Sequence, residues 1–267
     1  MRKYRTILFT TILGLISLTS CQKVIHLDLS SSVPQLVIQG NIYDQAGPFE
    51  VVVSKTVDFD ALNIYPPVTD ATVSISDDAG NTEELSQATD GTYITSTTQG
   101  IPGRTYTLTV NVDGKTYTAS STMKEATNID SIYFKDSPFG GSKLVALNFK
   151  NLPGTENYYR VIHFLNGIQA TSFNVFSENA SQTDTISYSF RPTDLTSTTT
   201  TTTELVKGDE IDVWLECLDK GVFNYFRTAN SEGGQNASPA NPISNISNGA
   251  LGYFNACSVR KGQIIYP

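Results

Sequence analysis

Two histidines, three cysteines and 26 acidic side chains are the groups from which this 267-residue chain could build chemistry. His26 and His163 are the only imidazoles, and no HxE, HExxH or CxxC spacing accompanies them. Zinc requires three or four ligands brought together, and a serine nucleophile requires a presenting turn such as G-x-S-x-G, which is absent. Asp77, Asp78 and Asn81, and Asp58 with Asp60, offer oxygens of the kind calcium takes, but without EF-hand spacing. They read as solvated turn acids. Glycoside hydrolysis needs two carboxylates flanking one bond, and among 26 acids no pair stands out. The expectation is a protein that is not an enzyme, with no catalytic residue, no metal and no cofactor.

Cys21 is a different kind of candidate. Arg2, Lys3 and Arg5 precede an apolar run over residues 7–18, about 12 residues, within the roughly 7 to 15 of a signal h-region. A membrane-spanning helix needs about 20, and Gln22, Lys23, His26 and Asp28 turn the chain polar again. Leu18-Thr19-Ser20-Cys21 resembles the lipobox of bacterial lipoprotein signals: an apolar residue, two small residues and the cysteine. That resemblance implies loss of residues 1–20, a diacylglycerol on the Cys21 thiol and a lipidated tether over 21–33. An ordinary cleaved signal with an incidental cysteine is the alternative.

The net charge is −8 for the whole chain. Residues 1–20 hold three bases and no acid, so without them 15 bases face 26 acids, a net −11. Such a surface excludes nucleic acid, where clustered bases must replace counterions, and disfavours electrostatic adhesion to anionic lipid. The roughly 245 residues that follow the signal suit two moderate domains better than one. With Cys21 assigned to lipid, Cys217 and Cys257 form an even pair in an exported chain. They are either a disulfide or two small buried hydrophobes.

The elements that must position these groups are strands. Over 34–123 the segments PQLVIQGNI, FEVVVSKTV, ATVSIS, GTYITS, TYTLTVNV and KTYTASSTM alternate Val, Ile, Thr and Tyr at period two between turn residues. VDGK predicts a type I′ hairpin at Asp113-Gly114, and DDAGN a second turn. The expected architecture is all-β: an immunoglobulin-like or transthyretin-like sandwich over 34–123, then a second mainly-β domain over 124–267 with one short helix. In that second half DEIDVWLECLD predicts a strand with Ile211, Val213, Leu215 and Cys217 on one face and Trp214 on the other. DKGVFNYFRTANSE predicts the helix, with Val222, Phe223 and Phe226 inward. The threonine tract at 196–203 reads as an exposed edge or loop.

Taken together, the lipobox cysteine, LDL, PQLVIQGNI, PPVTDATVSISDDAGN, GIPGRTYTLTVNVDGKTYTASSTM and NPISNISNGALGYFNACS resemble the DUF4249 family of Bacteroidetes lipoproteins. The family supplies no catalytic residues. The resemblance implies an outer-membrane accessory or binding protein partnered with a TonB-dependent receptor in ligand capture or uptake, its ligand unknown. It also implies domains facing the cell surface, although Gln22, Lys23, Val24 and Ile25 depart from the acidic residues that usually follow an exported lipoprotein cysteine. A structural or adhesive envelope protein, or a hydrolase with an unrecognised site, would be the alternatives. Trp214, Tyr225, Tyr253 and Phe254 are candidate contact residues, with core packing as the competing role. Asp130-Ser131-Ile132 and Asp184-Thr185-Ile186 resemble D-[ST]-aliphatic O-glycosylation sites, which makes Ser131 and Thr185 candidates for modification.

Overall fold

The computed structural model describes residues 33–58, 61–62, 64–138, 143–153, 156–178, 185–191, 205–231 and 241–267. Residues 34–57 and 61–267 belong to one compact unit. Period-two alternation produces the first half directly. Strand β1 (Leu36–Tyr43) buries Leu36, Ile38 and Ile42, β2 (Glu50–Lys55) buries Val51 and Val53, and β3 (Thr72–Asp77) buries Val73 and Ile75. The short strands β4 (Thr82–Glu84), β5 (Ser86–Thr89) and β6 (Thr92–Ile94) follow, then β7 (Thr105–Val112) and β8 (Lys115–Thr122).

One layer has the order β1-β2-β6-β5 and the other β4-β3-β7-β8, so the chain changes layer after every second strand. This is the Greek-key logic of an immunoglobulin-like sandwich. The β7–β8 hairpin closes at Asp113-Gly114, where φ is 52° and 71°, as a type I′ turn requires.

The second half repeats the two-layer principle. Strands β9 (Ile129–Lys135), β10 (Leu144–Lys150) and β13 (Thr185–Phe190) form a sheet in the order β13-β10-β9. Opposite it lie β11 (Asn157–Leu165), β12 (Ile168–Glu178), β14 (Glu210–Leu218) and β15 (Leu251–Ile265), with Val145, Leu147, Phe149, Tyr159, Val161 and Leu215 wholly buried in the core. On β14, Ile211, Val213, Leu215 and Cys217 enter that core and Trp214 faces away, as the sequence predicts. Helix α1 (Lys220–Ser231) covers the opposite face of the sheet. Its Val222, Phe223 and Phe226 pack with Tyr158, Leu218 and Cys257. Asp219 caps it, accepting from Val222 N at 2.9 Å, the usual N-cap bond.

Strand β15 joins the two halves. Its residues Leu251 to Cys257 run parallel to β1, and Ser258 to Ile265 run antiparallel to β14. The result is one eight-stranded sheet, β12-β11-β14-β15-β1-β2-β6-β5. Ile246, Ala250, Phe254 and Ala256 belong to the first core, so the last strand crosses the expected 123/124 boundary. The parallel pairing depends on Gly252, whose φ is +96°. A Cβ there would lie 2.0 Å from the Ile38 carbonyl oxygen, far inside contact distance. No helix among the described residues is long and apolar enough to cross a membrane.

Candidate functional site

A groove of about 360 Å³ opens on the first sandwich between β3–β4 and the 96–104 segment that leads into β7. Its apolar lining is the buried Ile75 and Tyr106 with the exposed Ile101. Its rim carries Asp77, Glu83 and Arg104. Glu83 holds the rim by hydrogen bonding. Its Oε1 accepts from Ser96 Oγ at 2.7 Å, and its Oε2 from Thr98 N at 2.7 Å and Thr97 Oγ1 at 3.0 Å. Burial opposes the Glu83 charge, but hydrogen bonds from Thr98, Ser96 and Thr97 outweigh it and pull its pKa down to about 2.

Asp77 does the same for the β3–β4 turn. Its Oδ1 accepts from Asn81 N at 2.9 Å and Ala79 N at 3.1 Å, and its Oδ2 from Asn81 Nδ2 at 2.8 Å and from Arg104 Nη1. Bonds from Asn81, then from Arg104 and Ala79, bring its pKa down to about 2. The expected turn acid is therefore a turn anchor with an arginine partner. From below, Tyr106 Oη accepts from Ile101 N at 2.8 Å. The groove thus presents two carboxylates fixed in ionised form, a partly exposed guanidinium and two threonine hydroxyls.

A second polar cluster lies on the helix-covered face of the long sheet. Arg160 and Glu216 sit opposite each other on β11 and β14, with Arg160 Nε donating to Glu216 Oε2 at 2.6 Å. Burial works against the Arg160 cation, but the adjacent Glu216 carboxylate more than offsets it and keeps the guanidinium protonated. The Arg160 guanidinium carbon also lies 3.7 Å from the centre of the Phe226 ring, a cation–π contact. Along the same face, Asn255 Nδ2 donates to Asn41 Oδ1 and to Cys257 Sγ, both at 3.3 Å, and Asn41 Nδ2 donates to Tyr253 Oη at 3.3 Å. Glu216 Oε1 and Asn255 Oδ1 are buried without a protein partner.

Three of the four candidate contact aromatics border this cluster. Tyr225 and Tyr253, both half-buried, lie 4.9 Å apart between ring centres. Trp214 is half-buried, with Lys261 Nζ 3.9 Å above its ring and Phe164 at 4.8 Å. Phe254 is not with them. Adjacent strand residues alternate faces, so it points into the first core at 0% exposure and is packing rather than a contact surface.

Cys217 and Cys257 are both free, buried thiols. Cys217 pairs in register with Ser258, so Cys257, one residue earlier, faces the other side of the sheet. The two thiols consequently lie in different hydrophobic clusters. Burial pushes the Cys217 thiol up to about 12 and Cys257 well above its ordinary value.

His163 stacks among Phe190, at 3.9 Å, and Tyr188, at 6.0 Å, with Nδ1 unpartnered. Desolvation lowers its pKa to about 4, so it is a neutral core residue at neutral pH. Ser131 and Thr185 are exposed. Cys21, His26, Asp60, Asp184 and the 196–203 tract lie outside the described residues. Among the described residues, no three His, Cys, Asp or Glu side chains are grouped to hold a metal ion.

Glu83, Arg104, Arg160 and Glu216 have no marker in the sequence. The groove rim joins segments that the chain separates by two strands, and Arg160 and Glu216 are 56 residues apart. Asn166-Gly167 was readable. Its φ values of 49° and 78° close the β11–β12 hairpin, as an Asn-Gly pair should.

Strand order, shared last strand and polar groove define a class: an all-β protein of two sandwiches that share a sheet, with a polar-rimmed groove on the first. The model of the family described as "Domain of unknown function (DUF4249)" matches residues 22–263, and the chain belongs to that family. No curated protein matches it. Among solved structures it is similar to a segment of two fibronectin type-III domains from chicken tenascin, at 11% identity and TM-score 0.25, covering 87% of this chain and 99% of that one. It is also similar to the FN1–FN3 domains of chicken CNTN1, at 9% identity and TM-score 0.25, covering 88% of this chain and 65% of that one. These superpositions are loose, and the fold assignment rests on the strand order above.

Proposed function

We propose that this protein is a lipid-anchored accessory of the Bacteroidetes outer membrane that binds a ligand together with a TonB-dependent receptor. The observation that carries the binding role is the groove on the first sandwich. Its rim is held by hydrogen bonds within the protein before any ligand arrives, and preorganisation of that kind lowers the cost of binding. The anchor draws support from the lipobox-like Leu18-Thr19-Ser20-Cys21, after which the family match begins at residue 22. Cell-surface display follows from the family resemblance.

Affinity purification of the native lipoprotein in mild detergent tests the partnership, with a TonB-dependent receptor expected in the eluate. Arg104→Ala, which removes the groove's one cation, should lower uptake of the receptor's ligand while the protein stays folded and membrane-bound. If no receptor co-purifies, and a deletion strain loses surface attachment while uptake is normal, the protein is an adhesive spacer instead.

A further inference from the structure

The loop between β2 and β3 exposes apolar side chains that the fold does not use. Leu62 is 79% exposed, Ile64 73% and Tyr65 55%. The base of the loop is nonetheless firmly held. Lys55 N donates to Pro66 O at 2.9 Å and Val68 N to Val53 O at 3.0 Å, flanking a bridge between Ser54 and Pro67. Val68 is buried in the first core. Three large hydrophobic residues within four positions therefore project from a fixed platform, and a cluster of that kind marks an interaction surface.

Its position identifies the occupant. The chain coming from Cys21 enters the sandwich at Pro34, and Gln35 pairs at once with Thr56: Gln35 N donates to Thr56 Oγ1 at 2.9 Å, and Thr56 N to Gln35 O at 2.9 Å. Thr56 follows Lys55, which holds the loop base. The tether root and the apolar loop thus share one edge of the sandwich. Residues 22–33 separate Cys21 from Pro34, so even fully extended they keep that edge within about 45 Å of the acylated cysteine. A tethered group meets its surface at high effective concentration, and the surface next to a lipid anchor is the bilayer.

We infer that Leu62, Ile64 and Tyr65 insert into the membrane interface, so that the lipid and this loop form a two-point attachment that orients the first sandwich. Tyrosine suits the headgroup level, with an apolar ring and a polar tip, and the two acyl chains of a diacylglycerol hold the protein to the bilayer without fixing which way the sandwich faces. The net charge of −11 without residues 1–20 leaves apolar contact, rather than attraction to anionic headgroups, as the second point. This inference rests on Cys21 being the lipid site.

The test uses the acylated full chain on vesicles of phosphatidylethanolamine and phosphatidylcholine with dibrominated acyl chains. Tyr65→Trp adds an emitter to a chain whose one tryptophan is Trp214. Bromine should quench the added emission at least twofold. Leu62→Ser with Ile64→Ser should abolish that quenching while the protein still floats with the vesicles. Unquenched emission in floating protein overturns the inference, as does quenching indifferent to the double substitution. A loop shielded by a second copy or by the receptor would give the first of these results.

If the wild-type chain does not float, and Cys21→Ser changes nothing, the anchor itself is refuted. The loop is then read separately on the unacylated chain at millimolar lipid, where quenching sustains a membrane contact and its absence removes it.

Discussion

The two sandwiches share a strand and a sheet but treat charge in opposite ways. The first encloses Ile38, Ile42, Val53, Leu108 and Phe254 in an apolar core, and its ionised groups Asp77, Glu83 and Arg104 stand at the groove rim, where Asp77, its side chain only 7% exposed, is held by several donors. The second half buries Arg160 and Glu216 beneath α1, and His163 within the opposite core. At the rim, each carboxylate has several donors, and losing one leaves the others. In the interior, one hydrogen bond joins Arg160 to Glu216, and solvent cannot replace it. The difference predicts where substitutions are costly: inside the second half, at charges, and hardly at the acids of the first.

Arg160→Ala should test this most severely, because it strands the Glu216 carboxylate. A loss of about 3–5 kcal/mol is expected in urea denaturation. Arg160→Met combined with Glu216→Leu should recover most of it, since the interior then holds no charge to solvate. If the single substitution costs no more than a surface change, the contrast between the halves is wrong.

His163 sharpens the same contrast through pH. Its folded pKa of about 4 lies below the ordinary 6.5, so between those values the unfolded chain binds a proton that the folded chain refuses. Stability should therefore fall as pH drops from 6.5 toward 4, by about 3 kcal/mol in all. His163→Phe should flatten that part of the stability–pH curve, and an unchanged slope would place the titration elsewhere.

The rim acids respond in a lower window. Glu83 and Asp77 have folded pKa values of about 2, so the stability they contribute is present above pH 4 to 4.5 and is lost as pH falls toward 2. Glu83→Gln should cost only about 1 kcal/mol at pH 7, because much of the site is open to screening solvent. Hydrogen exchange in the 96–98 segment should report its loosening.

Smallest of all is the expected signal from the thiols. Neither Cys217 nor Cys257 should react with an aromatic disulfide reagent in the native protein, and both should react once it unfolds. Prompt native-state reaction would mean that the sheet around β14 and β15 opens locally.

Much of the fold was legible because its causes are local. Val-Ile-Thr-Tyr alternation announced the strands of the first half, Asp113-Gly114 its hairpin, and the spacing of Val222, Phe223 and Phe226 the helix. The two faces of β14 followed from period two alone. The groove was not legible, because Glu83 reaches across 13 to 15 residues to Ser96, Thr97 and Thr98 through hydrogen bonds that leave no periodicity. Phe254 shows the limit at the level of one residue: composition marks it as an aromatic, but only the pairing of Gly40 with Phe254 decides which side of β15 it occupies.

The sequence by itself determined the all-β class, the turns, the helix and the scarcity of groups for acid–base chemistry, since each depends on residue type and short spacing. Tertiary structure alone decided that β15 completes the first sandwich and extends the second, that the two thiols face opposite sides of one sheet, and that Arg160 meets Glu216. Those outcomes depend on register between distant strands, and a shift of one residue would reverse every face.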